Sequence, residues 1–141
     1  PADSTSPTQP SAGLGATQAS PPPAAATTGT LLINIPEDPN EIAMELAIRN
    51  VTVQNLVRDG GFTEIWIPAL EAKDLALALT VHLDRLAPDQ QLPVTLAVKE
   101  LVRAAWLLDW YGDLGNRQRV EAAYAIFGQA AEIIVATYDR Q

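Results

Sequence analysis

The sequence contains no cysteine, one methionine, one histidine and only two phenylalanines in 141 residues. Without cysteine there is no disulfide, no thiolate metal site and no thiol nucleophile. Every serine (Ser4, Ser6, Ser11, Ser20) lies near the N-terminus, so the remaining chain offers no serine nucleophile either. The lone His82 has Leu79 three residues before it, whereas a di-iron carboxylate site needs Glu-x-x-His on two helices. Haem attachment needs a Cys-x-x-Cys-His run or axial His and Met ligands, and Met44 and His82 share no motif. Glycine-rich phosphate cradles are missing too: Gly60-Gly61 and Gly112-x-x-Gly115 have the character of helix ends. The expectation is a protein with no metal, no cofactor and no catalytic activity, in which His82 is a solvent-side or hydrogen-bonded helix residue.

Basic charge is also scarce. Asp3 is the only charge in residues 1–30, so the rest carries nine bases against sixteen acids, a net charge of −7. Such a surface does not release counterions from nucleic acid, nor is it drawn to anionic lipid. A basic protein partner, or solubility alone, suits it better. Within residues 37–141 every uncharged run falls far short of the ~20 residues a bilayer span requires, so no transmembrane segment is expected. The opening Pro1-Ala2-Asp3, without Met, is what removal of a targeting segment or an imposed boundary leaves, and export is the expectation.

What is present divides the chain in two. Residues 1–36 form a Pro/Ala/Ser/Thr-rich extended tail with Pro7, Pro10 and the run Pro21-Pro22-Pro23. It has too little apolar area to offset chain entropy, which predicts polyproline II character when alone. It reads as a spacer, or as an arm that orders against a neighbouring subunit through Pro21, Pro22 and Pro23. Leu31 to Ile35 then gives a short extended run expected to cover an apolar seam.

Residues 37–141 read as an all-α, up-down-up-down antiparallel four-helix bundle. The first helix opens with Asp38 as cap, Pro39 in the first turn and Glu41 in a box-like position. Ile42, Leu46, Val53, Leu56 and Val57 form its stripe, with Val51 beside it, and Gly60-Gly61 ends it. In the second, Pro68 either starts the helix or kinks one begun near Thr63. Leu75 to Leu83 alternates with period two, yet its Ala and Leu content, with no partner strand following, favours helix. Being apolar on most sides, this helix should be the most buried. The third begins at Asp89 or, more cleanly, with Pro93 in its first turn. Val94, Val98, Leu101, Ala105 and Leu108 make a bundle seam, and Val102, Trp106 and Trp110 a second row. Asn116 caps the fourth, whose stripe runs Val120, Ala123, Tyr124, Phe127, Ala130, Ala131, Ile134, Tyr138.

Few residues invite a partner. Glu37, Asp38, Glu41 and Glu45 crowd one helix start, which capping and dipole complementarity explain; a weak calcium or basic-partner patch is the alternative. Arg117 and Arg119 oppose the dipole of the fourth helix, which marks them as a solvated face or a contact for an acidic partner. Trp106 suits the core or its edge. Trp110-Tyr111, beside the glycine-rich turn, is a candidate docking patch.

Trp66-x-Pro68-x-Leu70 at the head of the second helix, and Glu121 to Gln129 in the fourth, resemble the PsbQ family. These are extrinsic photosystem II subunits, called CyanoQ in cyanobacteria. Members share a Pro-rich N-terminal segment and a four-helix up-down bundle. Here Ile67 separates Trp66 from Pro68, and Phe127 takes the aromatic place before Gly128. The resemblance covers residues 39–141, the tail matching in character alone. It implies a non-catalytic protein of the thylakoid lumen that docks on photosystem II and other extrinsic proteins. There it would help retain calcium and chloride and stabilise the oxygen-evolving complex, ligating no manganese itself. The alternative from the residues alone is a periplasmic or cytoplasmic helical adaptor with one protein or peptide partner.

Overall fold

The structure, a computed structural model, describes residues 33–140. The expectations for the Pro-rich segment, Pro21, Pro22 and Pro23 included, lie outside the described residues. Asn34 onward forms one unit of four α-helices: α1 (Pro39–Asp59), α2 (Trp66–Leu79), α3 (Pro88–Asp113) and α4 (Arg117–Asp139). Among the described residues there is no strand. Helix α1 packs on α2 and α4, and α3 packs on the same two, so the helices close a circuit around a shared core.

Local chemistry sets the helix ends. Asp38 accepts a hydrogen bond from the Asn40 N–H at 2.9 Å, satisfying an otherwise orphaned donor, and Pro39 opens α1. Gly60 closes it with φ +81°, and the Gly60 and Gly61 N–H groups both return to the Leu56 carbonyl. A 3₁₀ turn, Phe62–Glu64, follows before α2. Pro68 is the third residue of α2, where its missing N–H would have had no intrahelical partner. The first α-helical bond skips it, running from the Ala69 N–H to the Ile65 carbonyl at 3.1 Å. Both sequence-level options for Pro68 thus merge into a turn followed by a helix that holds it in its first turn.

The helix reading of Leu75 to Leu83 holds only to Leu79. Thr80–Arg85 is a 3₁₀ stretch interrupted at His82, whose φ/ψ of −108°/19° is non-helical. Val81, in this stretch, is 76 % exposed, and the chain returns to the core only at Leu86. Helix α2 buries eight of its 14 residues, a larger share than any other helix, as its composition implied.

Of the two expected starts for α3, the earlier, at Asp89, is within one residue of the observed start at Pro88, and the one at Pro93 is not. Pro88 occupies its first turn, the Ala87 N–H donates to Gln90 Oε1 at 3.1 Å, and Pro93 lies inside the helix. Pro93 is tolerated because it is exposed: water can reach the Asp89 carbonyl that its missing N–H leaves unpaired. Asn116 caps α4 as expected, accepting from the Arg119 N–H at 3.1 Å.

The expected stripes meet in the core. Leu46, Val53, Leu79, Val94, Leu101, Leu108, Val120, Phe127 and Ile134 are all 0 % exposed. Tyr138, also buried, donates its hydroxyl to the Leu79 carbonyl at 2.9 Å across the α2–α4 gap. Burial, then the Asp84 carboxylate, raises the Tyr138 hydroxyl above its ordinary value. Helix α4 is the one described helix long and apolar enough, by length and composition, to cross a membrane. Much of that apolarity serves the core, where α4 contributes nine buried residues. Val51, placed beside the α1 stripe, is 54 % exposed, and the run before α1 departs from its expected role as a cover, since Ile35 is 39 % exposed.

Candidate functional site

The turn joining α3 to α4 brings together most of the sequence-predicted contact residues. Helix α3 runs on to Asp113 because Gly112, which has no side chain, lets the Phe62–Glu64 turn press against it. The Leu114 N–H returns to the Trp110 carbonyl at 3.3 Å, and the Asn116 N–H to the Tyr111 carbonyl at 3.1 Å. These bonds tie the end of α3 to the start of α4.

On this rigid corner Trp110 and Leu114, one turn apart, are each 65 % exposed. Beside them Tyr111 carries the Arg119 guanidinium 5.6 Å from its ring centre, with Arg119 Nη1 donating to the Tyr111 hydroxyl oxygen at 3.4 Å. Among the described residues Arg119 has no carboxylate partner, which suits it to an incoming acid.

Arg117 behaves differently. Its guanidinium lies 4.9 Å from the Phe62 ring centre, its Nη1 reaches the Val57 carbonyl at 3.5 Å, and Glu121 pairs with it at 3.3 Å. A cation unfavourable for the α4 dipole thus sits at the C-terminal end of α1, where the dipole favours it. The sequence pattern alone showed only the unfavourable half. Arg117 straps α1 to α4 and contributes to a docking surface only through its exposed edge.

Trp106 lies at the edge of the core, 38 % exposed. Its ring takes the Lys73 ammonium 5.3 Å from the centre. Lys73 is 5 % exposed and reaches its own neighbour Asp74 at 2.9 Å, so its stem is buried beneath the indole. Sequence reasoning missed Leu114 and Phe62. The Trp106-Trp110-Leu114 spacing of four and four was a readable signal for the first. Phe62 had none, because its position depends on how the turn before α2 folds back.

Among the described residues no three His, Asp or Glu side chains converge as metal ligands would. Burial, and secondarily the Asp113 carboxylate, raises the Asp109 carboxyl above its ordinary value. The folded state then binds this proton more tightly than the unfolded chain, so stability falls as pH rises from the ordinary Asp value through the raised one. Asp109→Asn is expected to raise Tm at pH 7 by roughly 1–3 °C, with the gain vanishing near pH 3. Thermal melts of both proteins across that range measure it; an equal gain at both ends would show the effect is not ionisation.

No family model, curated protein or solved structure matches this chain.

Proposed function

We propose that this chain is a non-catalytic docking subunit, built as an antiparallel up-down-up-down bundle behind an extended Pro-rich tail. The closed circuit of helix contacts and the brief connections at 60–65 and 114–116 support that topology. The observation that carries the functional reading is the α3–α4 corner. Trp, Tyr and Arg are the residue types that dominate interface energetics, and here Trp110 and Arg119 stand exposed, with Tyr111 half-buried beside them, on a backbone held by hydrogen bonds. A rigid platform loses little entropy on binding.

The proposed partner is the lumenal side of photosystem II, together with its other extrinsic proteins. Support for it is the likeness to PsbQ: four helices, Trp66-x-Pro68 heading α2, and the Glu121 to Gln129 segment within α4. In this role the protein stabilises the oxygen-evolving complex and aids retention of calcium and chloride from the thylakoid lumen. A helical adaptor would use the same corner with a different partner.

Co-sedimentation with photosystem II membranes stripped of extrinsic proteins tests both parts. Wild type should bind and restore oxygen evolution at limiting calcium and chloride. Trp110→Ala should bind at least about tenfold more weakly, a loss of ~1.4 kcal/mol, with Tm within about 2 °C of wild type. Absence of wild-type binding removes the photosystem assignment. Undiminished binding by Trp110→Ala removes the corner.

A further inference from the structure

Helix α1 has a second apolar stripe that the core does not use. Met44, Ile48 and Val51 are spaced by four and three residues, hence on one helix face, and are 63 %, 50 % and 54 % exposed. The stripe Ile42, Leu46, Val53 and Val57 occupies the buried side of the same helix. Against the exposed stripe lies a shallow groove between α1 and α4. Its two stretches share Ala47 and Val135, with Met44 and Val51 on the α1 wall and Ala136 on the α4 wall. The small Ala47 and Ala136 keep the floor low enough for another helix to approach.

The charge around the groove is of one sign. Glu132 and Asp139 line it, no Lys or Arg does, and neither acid forms an ion pair among the described residues. Several other acids are neutralised locally, Glu45 on α1 and Glu71 on α2 by Arg49, and Glu121 on α4 by Arg117. The lining runs from Asn40 to Val51 on α1, about 16 Å or three helical turns.

We infer that the α1–α4 groove binds a basic amphipathic helix of a partner protein, about three turns long. Its apolar anchors, at positions i, i+4 and i+7, pack against Met44, Ala47, Val51 and Val135, while its flanking Lys or Arg residues meet Glu132 and Asp139. This mode is independent of the α3–α4 corner, because the two surfaces share no residue.

The test uses two labelled 14-residue helical peptides, one of Leu and Lys and one of Leu and Glu in the same pattern, titrated by fluorescence anisotropy. The Leu/Lys peptide should bind and the Leu/Glu peptide should bind at least tenfold more weakly. Met44→Ser with Val51→Ser, and separately Glu132→Gln with Asp139→Asn, should each lower Leu/Lys affinity about tenfold. All four side chains are exposed or rim the groove, so the variants should keep the wild-type circular dichroism. Trp110→Ala should bind the peptide as wild type does. Equal binding of the two peptides, or binding unaffected by the Met44 and Val51 changes, overturns the inference. So does a wild-type dimer in sedimentation that Val51→Ser dissolves, since a second copy would then occupy the groove.

Discussion

Phe127→Ala is expected to destabilise the protein by about 3–5 kcal/mol, lowering Tm by roughly 15–25 °C. The ring is 0 % exposed and sits midway along α4, the helix that meets both α1 and α3. Its centroid lies 6.1 Å from that of Tyr124, whose hydroxyl reaches Asn50 Oδ1 on α1 at 3.0 Å. Truncation therefore loses the transfer free energy of the ring and leaves a cavity between helices too well tied to collapse into it. With total stabilities of such domains near 5–15 kcal/mol, much of the margin disappears. Denaturant and thermal unfolding followed by circular dichroism measure the loss. A change below about 1 kcal/mol would mean that the space around Phe127 is not closely packed.

The second large effect runs against helix propensity. Gly112 lies inside α3, where Gly→Ala would ordinarily stabilise by about 1 kcal/mol. Here an added Cβ would fall 2.6 Å from the Phe62 carbonyl oxygen and 3.2 Å from Ile65 Cγ2. The nearer atom is backbone, held by the Ile65 N–H to Phe62 carbonyl bond, and cannot rotate away as a side chain would. Gly112→Ala is expected to cost about 1–3 kcal/mol net, and Gly112→Val more. The turn before α2 would lift from α3, so amide exchange should quicken at Phe62–Glu64 before elsewhere. A stabilised Gly112→Ala protein would show that the turn yields at little cost.

Both effects concern contacts that differ in how far they could be read beforehand. Phe127 was legible, because Val120, Phe127 and Ile134 recur at seven-residue intervals and place one face of α4 inward. Gly112 was legible only as a helix end. That it is instead a site of close approach follows from the fold of the Phe62–Glu64 turn, which no local pattern encodes. The misplacements have similar causes. Pro93 looked like a helix start because a proline inside a helix normally breaks it; exposure to water makes this one tolerable. Val51 was placed beside the core stripe that holds Val53, yet two residues turn a helical side chain by about 200°, to the far side of the helix.

The contact corner was half legible. Trp110 and Tyr111 announced themselves as aromatics at a glycine-rich turn, and Arg119 as a cation at a helix start. Which arginine is free to meet a partner was decided by tertiary structure, since Val57 and Phe62 occupy Arg117 from more than fifty residues away in the chain. The exposed stripe Met44-Ile48-Val51 was written in helical spacing and could have been counted. Its meaning still depended on knowing that α4 lies alongside with Ala and Val facing it.

The amino-acid sequence alone determined the helices, most of their caps and which faces turn inward, because hydrogen-bond capping and apolar periodicity act over a few residues. Tertiary structure decided which apolar and basic side chains remain available, because availability depends on what distant segments have already covered. The same Leu, Trp or Arg is core, strap or docking surface according to the neighbour that packing supplies.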